Sequence, residues 1–437
     1  MNKTNTSIDW LTLFLYLVLV TIGIVSIYSS QYDQTDGGKI FNFKLFHGKQ
    51  IIFLAISLVV GFFILLMDAR IFSSAAYFLY AFTILLLFVT IFIGHSENGA
   101  KGWLAFGGVQ FQVSELGKYA TALALAKFLS QYGFDMSKLT NKFWAFAIIL
   151  LPCLLIILQH DVGSALVFFS LIMVLYRQGI SPWYILIPLW FGLVTVLALY
   201  FGKITVFVVA IIITIGINII FRRSMRMVFI RFMACAITLA IAWGAEKSLS
   251  GLEGYQRTRI EVLLGKKLGP DNANTLDFAP GSFSDKADSI DLKKAGWNVH
   301  QSLIAVGSGG LAGKGYLKGT QTKLGYVPAQ STDFIFCTIG EEAGFIGCLA
   351  VIGLCVAFLY RLIIIAERQK FVFNRCYAYG VVAVLFFHLT INLATVLGLF
   401  PVVGIPLPFI SYGGSSLIIF TIMVFTLLKL DAESKAL

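Results

Sequence analysis

Carboxylates, amides and glycines crowd one short stretch of an otherwise apolar chain: Trp297, Gln301, the Gly307-Ser308-Gly309-Gly310 turn, Gly313, Gly315, Thr332-Asp333-Phe334 and Glu341-Glu342. Such groups beside a hydrophobic segment are costly to keep unless they line a wet cavity, so this chemistry belongs at a membrane surface. The glycines permit backbone conformations closed to other residues and a close approach to a ligand. That suits a phosphate cradle, and it equally suits a tight turn.

Further segments carry similar residues. In Gln112-Val113-Ser114-Glu115-Leu116-Gly117-Lys118, Ser114 is placed to cap a helix and Glu115 to sit in its first turn. Lys118, one turn on, can pair with Glu115 either at the membrane interface or facing a cavity. Gln159-His160-Asp161-Val162-Gly163-Ser164 is a polar break between two apolar runs. Asp161 there can cap a helix whose first amides could also meet an anion. Pro401 to Ser416 holds three prolines and then Ser411-Tyr412-Gly413-Gly414-Ser415-Ser416, an irregular re-entry followed by small residues suited to close helix packing or a polar groove. Tyr255-Gln256-Arg257-Thr258-Arg259 is a basic aromatic cluster, and the stretch from Lys266 to Ser289 after it has too few apolar residues to form a core.

The elements that must position these residues are membrane helices. The 437 residues are 58% hydrophobic and 13% charged, with a mean hydropathy of +0.86, against roughly a quarter charged in soluble domains. The fold class is therefore all-α: a polytopic helical membrane protein with about twelve spans, from Trp10–Tyr28 to Phe409–Leu428. It reads as a single membrane domain over 1–437, with one long loop over 248–333. Arg222, Arg223, Arg226 and Arg231 crowd one turn, and Arg361, Arg368, Lys370 and Arg375 another. Basic residues are retained in the cytoplasm, so both termini lie there and the polar segments face outward. The net charge of +11 is accounted for by these loop basics and implies no nucleic-acid partner. Six cysteines in or beside apolar runs, with no CxxC pair, imply neither disulfides nor a zinc site.

Taken together, these segments resemble the SEDS family of membrane peptidoglycan polymerases. The resemblance is carried by the Phe111-to-Lys118 segment, the Gln159-to-Ser164 break, Tyr255 to Arg259, Gln301 to Gly315, Thr332 to Gly344 and Pro406 to Ser416. Pro401-Val402-Val403-Gly404-Ile405-Pro406 is similar to the rod-elongation branch, with the division branch as the alternative. The resemblance implies polymerisation of lipid II on the outer face of the bacterial cytoplasmic membrane. It also implies a class B penicillin-binding protein as partner within the elongation machinery, and one essential outer-loop carboxylate. The family places that carboxylate six residues before an aromatic, which is Asp291 before Trp297. His160 stands where the family has proline, and Ala329 and Ser331 where it has Glu and His. The loop between Arg259 and Asp291 is longer than usual, and an extra pair of apolar runs, Ile204–Phe221 and Val228–Trp243, precedes Tyr255.

The implied reaction displaces a polyprenyl diphosphate at an anomeric carbon. Diphosphate leaves readily, so the needs are a general base for the acceptor hydroxyl and fixed positive charge for the phosphates. Asp291 is the expected catalytic base. Arg257, Arg259 and Lys118 are the expected phosphate partners, and Glu115, Gln301, Ser308, Asp333, Glu341 and Ser411 the other substrate-binding residues. A magnesium or manganese ion would suit the same oxygen ligands. The rival reading is a lipid II flippase, which needs polar lining through the full membrane depth.

Overall fold

The computed structural model describes residues 8–32, 43, 45–97, 100–106, 109–201, 203–220, 225–250, 287–327 and 329–436. Seven helices among them are long and apolar enough to cross a membrane: α1 (Trp10–Ser30), α2 (Phe46–Leu66), α3 (Ala69–Ile93), α5 (Leu139–Leu158), α13 (Ile335–Glu367), α14 (Val372–Val396) and α15 (Gly414–Ala436). The remaining expected spans also lie on helices: α4 (Val113–Leu129), α6 (Val162–Phe168) running through a 3₁₀ turn into α7 (Ile172–Arg177), α8 (Trp183–Phe201), α9 (Lys203–Ile220) and α10 (Met225–Ser250). The fold class is thus the expected all-α polytopic membrane protein.

The chain divides into two compact units, residues 1–180 with 298–437, and residues 181–297. In the first, α4 packs between α3 and α14, α15 lies along α2, and α13 lies between α1 and α14. In the second, α8, α9 and α10 pack on one another.

The connections of the first unit sort by character. One end holds the basic residues: Arg361 and Arg368 bind Asp9, and Arg368 and Lys435 bind Asp431. Burial raises the pKa of Asp9, but the two guanidinium groups outweigh it and hold the carboxylate far below its ordinary range. The opposite end holds the Gln159-to-Ser164 break, the Gly309-to-Gly315 turn and the Pro401-to-Ser416 re-entry.

Two elements differ from expectation. The segment before α4 is a three-stranded antiparallel meander, β1 (His95–Glu97), β2 (Ala100–Phe106) and β3 (Val109–Gln112), with Trp103 opposite Gln112 and Phe106 opposite Val109. Val109, Phe111 and Trp103 favour strand, and a run this short leaves little periodicity to read. The second difference is α11 (Ala287–Ser308), which contains Asp291 in a helix rather than a loop. Ala287, Leu292, Lys293, Lys294 and Ala295 are good helix formers and no proline interrupts them. Arg257 and Arg259 lie outside the described residues.

Candidate active site

At the start of α4, Ser114 is not the cap. The N-cap position is Gln112, and Ser114 is buried with its hydroxyl unpartnered. Glu115 and Lys118 pair at 2.6 Å, each 1% exposed, which decides for the interior over the interface. Lys118 Nζ also lies 2.9 Å from His388 Nε2 and 5.6 Å from the centre of the Phe420 ring. The expected phosphate partner is therefore sealed among protein groups.

The Gln159-to-Ser164 break is held by the meander. Asp161 caps α6, accepting from the Ser164 amide at 2.9 Å, and accepts from Gln112 Nε2 at 3.0 Å. Gln159 Nε2 donates to the Leu87 carbonyl and Thr90 Oγ1, while the Gln159 backbone carbonyl accepts from the Lys101 amide. His160 takes a φ of 63° to turn the corner.

The glycine-rich turn is a backbone joint. Gly344, with φ 65° and ψ −163°, kinks α13 and frees amides and carbonyls on either side. Phe345 and Ile346 amides donate to the Gly310 and Leu311 carbonyls, and Lys314 and Gly315 amides donate to Glu341 and Glu342 carbonyls, at 2.9–3.1 Å. A Cβ on Gly309 would lie 2.0 Å from the Gly340 carbonyl oxygen, so only glycine allows this approach. The Gly313, Lys314 and Gly315 amides are thereby occupied, and the reading of this turn as a phosphate cradle gives way to tight packing.

Glu341 has the same structural use. It is fully buried and accepts from Lys314 Nζ at 2.6 Å, the Thr320, Gln321 and Thr322 amides, and both threonine hydroxyls. Its charge sits at the N-terminus of the short helix α12 (Thr320–Lys323), which favours an anion. Six protein donors leave it nothing for a substrate. Ser308 donates back to Ala305 within α11, and Gln301 is buried at 7% exposure.

The proline-rich re-entry is held by one face of α14. Backbone that is neither helix nor strand needs donors inside a membrane protein. His388 faces the Pro406 carbonyl at 3.1 Å, Asn392 donates to the Ile405 carbonyl at 2.8 Å and Thr395 to Pro401 at 3.4 Å. Asn392 also donates to the Asp333 carbonyl, and Ser411 Oγ donates to the Thr332 carbonyl at 2.6 Å while accepting from the Leu407 amide. Ser411 thus joins the re-entry to the turn that presents Asp333. None of His388, Asn392 and Thr395 is among the residues expected from sequence. Their spacing of four and three residues on an apolar helix is the available signal.

Residues 9–205 and 206–436 match a family described as "Cell cycle protein" and named for FtsW, RodA and SpoVE. The chain belongs to this family. It is 31% identical to the peptidoglycan glycosyltransferase RodA of Treponema pallidum, covering 98% of each chain. It is also 31% identical to the peptidoglycan glycosyltransferase MrdB of Escherichia coli, over 84% of this chain and 80% of that one. A solved structure described as coordinating polymerization and crosslinking in a peptidoglycan synthase complex superposes with a TM-score of 0.67, at 23% identity over 98% of both chains. That likeness speaks for the fold. Within the family the similarity lies on the RodA side, as the Pro401-to-Pro406 sequence implies.

Proposed function

We propose that this protein is a peptidoglycan glycosyltransferase of the elongation type, polymerising lipid II into β-1,4 glycan strands. The observation that carries the reading is the family match from residue 9 to residue 436, with 31% identity to peptidoglycan glycosyltransferases. Asp291 takes the proton of the acceptor hydroxyl as that oxygen attacks the anomeric carbon. The bond to the diphosphate breaks on the opposite face, so the linkage inverts. Arg257 and Arg259 hold the departing diphosphate, whose oxygens match the planar guanidinium fork.

The buried Lys118 and Glu115 act from inside the helix bundle rather than at the substrate, and Ser411 holds the turn that carries Asp333 through the Thr332 carbonyl. Among the described residues no three His, Cys, Asp or Glu side chains converge as metal ligands.

The reading places both termini in the cytoplasm and the chemistry on the outer face of the bacterial cytoplasmic membrane. The segregation of basic residues to one end of the first unit and polar segments to the other supports it. A class B penicillin-binding protein within the elongation machinery is the proposed partner, in keeping with the synthase complex among the fold neighbours. The test is purified protein, with and without that partner, given lipid II and scored for glycan ladders on a gel. No polymer in either condition would sink the reading.

A further inference from the structure

The hydrogen bonds around His388 fix where its proton sits. The Pro406 carbonyl oxygen can only accept, and His388 Nδ1 lies 3.1 Å from it, so Nδ1 carries a proton, while Nε2 faces the Lys118 ammonium, which can only donate, and so is the bare lone pair. Lys118 Nζ lies 2.9 Å from Nε2 and 2.6 Å from Glu115 Oε1. One ammonium is thus shared between a neutral imidazole on α14 and a carboxylate on its own helix. The ring is 1% exposed and meets Phe420 edge to face at 4.9 Å between centroids.

This arrangement is costly for mere packing. His388 is flanked by buried Leu389 and, one turn earlier, buried Leu385, and an apolar residue there would need no hydrogen bonds of its own, whereas the buried imidazole needs a partner at both nitrogens. What the histidine adds is a link. The backbone it holds at Pro406 is one residue from Leu407, whose amide donates to Ser411, and Ser411 in turn holds Thr332 beside Asp333. The ammonium of α4 and the turn that carries Asp333 are therefore joined through a single imidazole.

We infer that His388 is a positioning residue for glycan polymerisation: as the neutral Nδ1–H tautomer it locks the Lys118 ammonium to the re-entrant backbone at Pro406. The inference rests on the glycosyltransferase reading above. It is not a contact with substrate, and its effect falls on turnover rather than on lipid II binding.

The test uses the full chain, with lipid II as probe and rates expressed per folded protein. His388→Phe keeps the ring against Phe420 and removes both hydrogen bonds. It is expected to lower kcat at least about tenfold with KM within about twofold, since an interaction acting only on turnover lowers kcat and leaves KM in place. His388→Gln retains one donor and one acceptor and is expected within about threefold of wild type, a rescue that follows from the hydrogen-bonding inventory. Wild-type turnover in folded His388→Phe, or a loss beyond about tenfold in folded His388→Gln, would overturn the inference.

Nitrogen-15 spectra of histidine-labelled protein give a readout that needs neither activity nor the Phe variant. The chain has five histidines, and the signal absent from His388→Gln identifies the one in question. It is expected as the neutral Nδ1–H form at pH 7, and an Nε2–H or imidazolium signal would overturn the assignment. If wild type makes no glycan while this signal is as expected, the glycosyltransferase reading fails and the hydrogen-bond geometry does not.

Discussion

Asp291 carries the proposed chemistry and is the most direct residue to test. A general base contributes roughly 10²- to 10⁴-fold, so Asp291→Ala should lower glycan polymer by that order while gel filtration shows a folded protein. Near wild-type polymer would remove the assignment, and a loss at Asp285→Ala or Asp288→Ala in its place would move the register. Arg257→Lys and Arg259→Lys test the guanidinium fork. Each should weaken apparent lipid II affinity several-fold, because lysine offers a point charge where a planar pair of donors is wanted. Unchanged affinity in both would leave these arginines as interfacial anchors. At this scale the sequence names residue types and spacing, and near partners such as Glu115 and Lys118 follow from the turn of a helix. Distant partners do not. Glu341 binds Lys314 and residues 320–322, and nothing in local spacing separates such a structural carboxylate from one facing a substrate.

The helices were legible because their apolar runs are long and uninterrupted, and the irregular elements were less so. The meander before α4 is short, and the helix that holds Asp291 has a mixed, weakly amphipathic sequence. The glycine turn shows how a motif can be read in type and missed in purpose: its glycines are needed for close approach, but the approaching group is the α13 backbone. Two substitutions separate these uses. Gly309→Ala would force a Cβ to 2.0 Å from the Gly340 oxygen, whereas Gly307→Ala meets nothing within 4 Å. Overpacking costs about 1–3 kcal/mol, while alanine replacing glycine in a helix gains up to about 1 kcal/mol. Thermal unfolding in detergent should therefore show a lower Tm for Gly309→Ala and an equal or higher one for Gly307→Ala. Equal melting of both would mean that the joint is looser than drawn.

Across the molecule, the two ends of the first unit differ in electrostatics as well as in sequence. The Asp9, Arg361, Arg368 and Asp431 network ties the start of α1, the end of α13 and the C-terminal helix together at the basic end. Asp9 is depressed on folding, so its stabilisation is complete above the unfolded carboxylate value of about 3.9 and is lost as pH falls below it. Wild-type Tm should drop from pH 6 to pH 3 more steeply than that of Asp9→Asn, and parallel curves would show that the network adds nothing. The same end should be the cytoplasmic one, and the extra helices give a separate test of sidedness. The sequence from Phe221 to Arg226 carries Arg222, Arg223 and Arg226, a density that retention of basic residues assigns to the cytoplasm. Ser224 and Ser284 lie outside the described residues, so labelling tests them independently of any side-chain position. Ser224→Cys should resist a membrane-impermeant thiol reagent in intact spheroplasts and react after permeabilisation, while Ser284→Cys should react in both. The buried native cysteines leave a low background. Labelling of Ser224→Cys from outside would show that α9 and α10 do not cross the membrane as a pair, and the outward position of Asp291 would then lose its topological support.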